Sequence, residues 1–328
     1  MIWTTYQTQK MKPETKQWLM KKTMILILLL MTAAVIAVYL LFFRGPQGEV
    51  LESQQFDDAY NQVCASPKLP PLEYRGVESF FTYLTKPDDQ HCYSWVEFGG
   101  EKIPIPSQSE AECNDEIRKT KFMCFNEEYE MTADPCLVYS FSKDMDDQFE
   151  RDMNMFSCEV HAFDHEKVTV AEHTSRTEFW KEHSWDIAEF PYDKNNDDGS
   201  VIKRRSLNYI VKSLGHEGRE MKFLKSDLEG REWILLKQII THSDLIDIRQ
   251  IGVRLHIPIS VNKMSGESRH SYFAKLFKIF QGLNCLGYKY VLGRAIRYYK
   301  GAVRIPEMKN QTFFPAYEVN WVKMLPSK

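Results

Sequence analysis

Thr23 to Phe43, TMILILLLMTAAVIAVYLLFF, runs 21 residues without a charge, a glycine or a proline. At about 1.5 Å of helical rise per residue, that length crosses the roughly 30 Å hydrocarbon core of a bilayer. A cleaved leader has a shorter apolar core, about 7–15 residues, followed by a small-residue cleavage site. Here Leu40, Leu41, Phe42 and Phe43 close the run and no such site comes after them. A retained signal anchor in the lipid bilayer is expected. Lys10, Lys12, Lys16, Lys21 and Lys22 precede it, opposed by Glu14, whereas Arg44 and then Glu49, Glu52, Asp57 and Asp58 come after. Basic flanks stay cytosolic, so the bulk of the chain is expected on the far side of the membrane. The expectation is a single-pass type II protein of the secretory pathway (Golgi or ER). Residues 1–22 form its cytosolic tail, 23–43 the anchor, 44–75 a stem, and 76–328 a lumenal domain.

The net charge is −3, and setting the basic tail aside leaves a more acidic remainder. Without a basic stripe, nucleic acid is not an expected partner. All seven cysteines, Cys64, Cys92, Cys113, Cys124, Cys136, Cys158 and Cys285, lie past the anchor. An oxidising lumen permits disulfides, most readily among the crowded ones between Cys92 and Cys158. Cys136 and Cys158 fit equally as buried small hydrophobes. The odd count leaves one thiol over or pairing between chains. No C-x-x-C occurs, and no metal site is expected. Asn310-Gln311-Thr312 is a glycosylation sequon compatible with a lumenal face.

Residues 44–75, with Gly45-Pro46, Gly48, Pro67 and Pro70-Pro71, show little apolar periodicity. From Cys136 onward, strands and helices alternate. Cys136–Phe141 reads as a strand buried on both faces, followed by a helix near Gln148–Phe156 and a strand at Cys158–Phe163. Trp185–Phe190 is a weaker third strand, and Tyr192–Ser200 reads as a loop. Ser206–Leu214 is a helix stopped at Gly215, and Met221–Ser226 a strand. Glu229–Ile240, Asp247–Ile257 and Tyr272–Leu286 come next as helix, strand and helix. Tyr288–Arg297 and Ala316–Met324 are successive strands without a helix between them, hence antiparallel. The expected fold is α/β: a doubly wound, Rossmann-like sheet of the class I methyltransferase kind, ending in an antiparallel hairpin.

In such sheets ligands bind beyond the carboxyl ends of the strands. Those ends carry Ser142 to Asp147, then Asp164, then Asp227 with Glu229, and His256. Asp164, 23 residues past Phe141, is placed to accept bonds from ribose hydroxyls, or else caps a helix. Asp227 and Glu229 bracket a predicted helix start, where Asp227 fits an N-cap and Glu229 and Glu232 suit the positive helix end. His256, Trp233 and Trp321 read as core residues. No glycine lies between Cys136 and Gly199, so side chains narrow the first loop, where many nucleotide sites carry glycines.

Three stretches carry a resemblance. They are CLVYSF at Cys136–Phe141 with Phe149-Glu150 and CEVHAFD at Cys158–Asp164, LKSDLEGREW at Leu224–Trp233, and YEVNWV at Tyr317–Val322. Together they resemble the methyltransferase-like protein 24 group, and the second also resembles the FkbM-like methyltransferases, over roughly residues 92–324. The resemblance implies a class I fold and S-adenosylmethionine as methyl donor. It implies that Phe141, Ser142 and Asp144 flank the methionine part of the cofactor, that Asp164 takes the ribose, and that Asp227 faces the reacting end. Asp227, and Glu229 after it, are the residues it offers for positioning or base work. Ser142 and Ser226 stand where the group has Gly and Met. Two other readings stay open. Asp144-Met145-Asp146 is a D-x-D that suits a divalent ion and a sugar nucleotide in a lumenal glycosyltransferase, and the missing glycine suits a non-catalytic binding relative. The methyl acceptor and oligomeric state are not legible.

Overall fold

The computed structural model describes residues 45–102, 117–118, 120–129, 131, 136–142, 148–164, 180–195, 199, 201–296, 302–308 and 312–324. The run Thr23–Phe43, Cys113, the loop 143–147 with Asp144, and Asn310 lie outside them. Among the described residues no helix is long and apolar enough to cross a membrane. Two compact units divide at Gln54 and Gln55, and the second, Gln55–Lys328, holds the central sheet and every candidate site residue.

Seven strands form that sheet: β3 (Leu137–Ser142), β4 (Glu159–Phe163), β5 (Lys181–His183), β9 (Glu220–Asp227), β10 (Asp247–His256), β11 (Tyr288–Ala295) and β12 (Ala316–Lys323). Their order is β5-β4-β3-β9-β10-β12-β11. Strands β3, β4, β5, β9 and β10 pair in parallel, while β12 inserts antiparallel between β10 and β11. The reversed strand is the expected one. Every residue of β3 is buried, as is every residue of β9 after Glu220. Central strands covered on both faces read as continuous apolar runs for this reason.

One face of the sheet is covered by α2 (Val77–Thr85), α4 (Leu207–Ser213), α5 (Glu232–Thr241) and α6 (Gly266–Cys285), packed over Leu224, Ile251, Val253, Val319 and Trp321. Helix α4 begins at Ser206, whose hydroxyl accepts the Tyr209 N–H, and ends before Gly215 at φ 69°. The other face is covered by α3 (Gln148–Met155) and by an antiparallel ribbon, β1 (Trp95–Phe98) with β2 (Lys121–Cys124). The ribbon is held by side chains of the sheet: Gln250 bonds both the N–H and the carbonyl of Cys124, and Asn320 donates to the Phe122 carbonyl.

Three expectations change. The third strand of the sheet is Lys181–His183, not Trp185–Phe190. Instead β6 (Trp185–Ile187) pairs in parallel with β8 (Val201–Arg205), which pairs antiparallel with β7 (Tyr192–Asn195). Within the expected loop at Tyr192–Ser200, residues Tyr192–Asn195 are thus a strand, and 196–198 and Ser200 lie outside the described residues. Third, the segment expected as a stem carries α1 (Gly45–Cys64), and from Gln55 it packs on the domain. Phe56 is buried, Asp57 pairs with Lys278 at 2.7 Å, and Cys64 is disulfide-bonded to Cys285. Cys92–Cys124 and Cys136–Cys158 are bonded too. The first of the three bonds joins residues 221 apart. Closing so long a loop restricts the unfolded chain and contributes about 2–5 kcal/mol.

Candidate functional site

The chain winds outward from β3 to β4 and β5, then returns to β9 on the other side of β3. The strand order therefore switches between β3 and β9, where open α/β sheets form a crevice at the carboxyl ends. Pairing register puts Ser142, the last residue of β3, beside Asp227, the last of β9. Phe141 lies beside Phe163 on β4, the rings stacked with centroids 4.5 Å apart, and Asp164 comes at once after Phe163. Asp164 is 5% exposed and its N–H donates to the His183 carbonyl. Thus Phe141, Ser142, Asp164 and Asp227 share one edge of the sheet. Asp144 lies outside the described residues.

Asp227 is not a helix cap. Helix α5 starts four residues after Leu228, at Glu232, with Arg231 in the cap position making no side-chain cap bond. Between strand and helix, Glu229 takes φ 51° and Gly230 φ 113°. Glu229 is exposed on that turn, away from the helix position expected of it. Glu232 instead goes inward: it is fully buried, accepts the Gly230 N–H at 2.7 Å and the His256 N–H, and pairs with His256 Nδ1 at 3.1 Å. One carboxylate so fixes both the turn after β9 and the end of β10. Trp233 locks the same corner, its indole N–H donating to the His256 carbonyl at 2.9 Å.

A chain of charges runs along this edge. Arg254 contacts Asp227 Oδ2 at 3.1 Å and Glu318 Oε2 at 3.3 Å, and Lys121 Nζ lies 2.6 Å from Glu318 Oε1. His256 Nε2 lies 4.0 Å from Asp227 Oδ1. Burial opposes ionisation of Asp227, but Arg254, Lys121, His256 and Lys225 outweigh it and hold its pKa below the usual value. Burial also pushes the Lys121 ammonium below the ordinary lysine range, against the pull of Glu318. Behind this row, Lys225 of β9 bonds Glu150 of α3 at 3.0 Å, and Ser140 donates to the same carboxylate oxygen at 2.5 Å. In sequence these charges resemble surface residues; Glu150, Lys225, Asp227, Glu232 and Glu318 fall inside stretches that carried the resemblance, whereas Lys121, Arg254 and His256 do not.

A second polar cluster begins at the other end of β4. Glu159 accepts from Lys181 at 2.6 Å, Arg219 at 2.8 Å and His161 Nε2 at 3.1 Å. Burial opposes its charge, yet those three donors hold its carboxyl well below the usual range. Burial pushes His161 down to about 4 and the stacked His183 to about 3. No metal site was expected from the sequence, which carries no paired-cysteine motif. Glu159, His161 and His216 nonetheless converge, their ligand-type atoms within 4.8 Å of one another.

A family model described as a methyltransferase domain matches residues 102–289, more than half of the 328-residue chain. Neither the curated proteins nor the solved structures yield a match. The matched stretch contains Ser142, Asp164 and Asp227 and the switch point between β3 and β9. This chain belongs to that family of methyltransferase domains.

Proposed function

We propose that this protein is an S-adenosylmethionine-dependent methyltransferase anchored in a secretory-pathway membrane, with its domain in the lumen. The observation that carries the reading is the meeting of Ser142, Asp164 and Asp227 at the strand-order switch. Their chemistry suits the cofactor: two carboxylates at strand ends match a ligand with vicinal ribose hydroxyls at one end and cationic sulfonium and ammonium groups at the other. Ser142 is small enough to leave the crevice open, although its side chain stands where the methyltransferase-like protein 24 group has none. When bound, the cofactor supplies an electrophilic methyl group; the protein's task is placement and, for a hydroxyl acceptor, a base.

Asp164 holds the ribose. Asp227, paired with Arg254 and held ionised, is a weak base and a fixed anion; we assign it positioning. His256 is the second candidate for base work: Glu232 engages Nδ1, and Nε2 lies 4.0 Å from Asp227 Oδ1. Glu229 sits on the exposed turn, within reach of an acceptor rather than of the strand ends. Labelled methyl transfer from S-adenosylmethionine to lumenal microsomal fractions tests the activity. Asp227→Asn should reduce transfer more than it weakens S-adenosylhomocysteine binding, and Ser142→Gly should tighten binding. Intact binding without any transfer would favour the second reading, a non-catalytic binding relative, which the Ser142 side chain and the Asp227–Arg254 pair also support.

The anchor and orientation rest on Thr23–Phe43 and its Lys-rich flank, and three disulfides suit an oxidising lumen. Protease added to intact microsomes should leave the domain whole. Its digestion from the cytosolic side would reverse the assignment.

A further inference from the structure

Glu159 opens β4, His161 lies two residues on with its side chain on the same face, and His216 lies in the turn after α4. The three approach from two separate parts of the chain. Glu159 Oε1 is 3.1 Å from His161 Nε2 and 3.9 Å from His216 Nε2. Ligands bound at about 2.0–2.1 Å to one tetrahedral zinc ion lie about 3.4 Å apart. The two separations from Glu159 Oε1 already bracket that value, and the widest in the cluster, 4.8 Å at most, closes with a shift of under about 1.5 Å.

The second nitrogen of each imidazole is already engaged. His161 Nδ1 is 2.9 Å from His183 Nε2, and His216 Nδ1 is 2.6 Å from the Tyr139 hydroxyl. Both partners can accept an N–H, and a metal-bound imidazole needs such an acceptor on its far nitrogen to fix tautomer and ring orientation. His183 is itself held by stacking on Phe163 and lies against Trp185. The two rings are thus oriented with both Nε2 atoms toward one carboxylate.

We propose that Glu159, His161 and His216 form a zinc site, with a fourth position left to water. Two imidazoles and a carboxylate are a donor set borderline enough for zinc and too poor in oxygen for calcium or magnesium. In its absence Lys181 neutralises the same oxygen, Glu159 Oε1. The Lys181 side chain is 39% exposed, against 2% and 5% for the two histidines. It can swing out to solvent as the ion enters, while Arg219 stays on Oε2. The ion ties the start of β4 to the turn between α4 and β9, at the opposite end of the strands from the cofactor crevice. The site does not depend on methyl transfer.

The test is titration of the chelator-stripped full-length protein, in detergent, with Zn²⁺ against a chromophoric chelator and with Co²⁺ followed by its visible absorption. One ion per chain is expected, with the Co²⁺ spectrum of a four-coordinate site. His216→Ala should weaken Zn²⁺ binding by more than about 100-fold, and Tyr139→Phe by about 10- to 100-fold. Lys181→Met should tighten it, since the competing cation is gone; a purely structural ion-pair cluster gives no such gain. Circular dichroism identifies any variant that fails to fold, and Lys181→Met then carries the decision. Absence of stoichiometric binding in the parent, or affinity unchanged by both His216→Ala and Lys181→Met, overturns the proposal.

Discussion

Lys225→Met should cost about 3–5 kcal/mol of folding stability, the penalty of leaving one charge of a buried pair without its partner. Lys225 is 1% exposed and Glu150 fully buried, and the pair closes at 3.0 Å beneath the carboxyl-end edge of the sheet. The ammonium also lies 4.5 Å from the Phe149 ring centre. Without Lys225, Glu150 keeps the Ser140 hydroxyl but has no cation to repay its desolvation. Replacing both partners, as Lys225→Met with Glu150→Leu, should recover most of the loss, because apolar residues of similar volume often match a buried ion pair. Burial opposes ionisation of Glu150, but Lys225 and Ser140 hold its pKa below the usual value. Its contribution is therefore fully present above the unfolded carboxyl pKa, about 4.3, and is lost as pH falls through the lower folded value. The parent should lose stability over that acid window and the double variant should lose less. Urea unfolding at pH 7 and at acid pH, disulfides intact, measures both; a single-variant cost below about 1 kcal/mol is what an exposed pair would give.

This pair also marks where sequence reasoning stops. Leu137–Phe141 and Met221–Ser226 declare themselves as strands because both faces are covered and apolar residues dominate. Ser140, Lys225 and Glu150 interrupt those segments, and nothing local says that they meet. Topology brings them together: Ser140 and Lys225 are register partners on adjacent strands, and α3 lays Glu150 over them. The edge strand Lys181–His183 went unseen for the opposite reason. All three of its residues are half-buried and polar, so no apolar run announces it, while neighbouring Trp185–Ile187 has the composition of a strand and joins a different sheet. The 44–75 segment lacked periodicity, and its attachment through Phe56, Asp57 and Cys64 to α6 is a long-range fact. Asp164 and Asp227 were legible because a strand end is a local feature. Arg254 and Lys121, which hold Asp227 ionised, come from two other strands, β10 and β2.

Asp164→Ala should weaken S-adenosylhomocysteine binding about 10- to 150-fold, which corresponds to roughly 1.5–3 kcal/mol for charge-assisted hydrogen bonds to the ribose. Asp164 directly follows the strand that ends at Phe163, whose ring stacks on Phe141, so truncating its carboxylate removes acceptors without altering that ring pair. Asp164→Asn should fall between parent and alanine, since one acceptor oxygen survives without the charge. A helix-capping role predicts a different ranking, with Asn nearly as good as Asp and ligand affinity unmoved.

Cofactor binding at this sheet edge is measured by calorimetric titration of the folded full-length protein with S-adenosylhomocysteine, beside the Asp164→Ala variant. Saturable binding near one ligand per chain is expected, weakened at least about 10-fold by the substitution. A correctly folded parent that binds none, or a variant that binds as tightly as the parent, would contradict it.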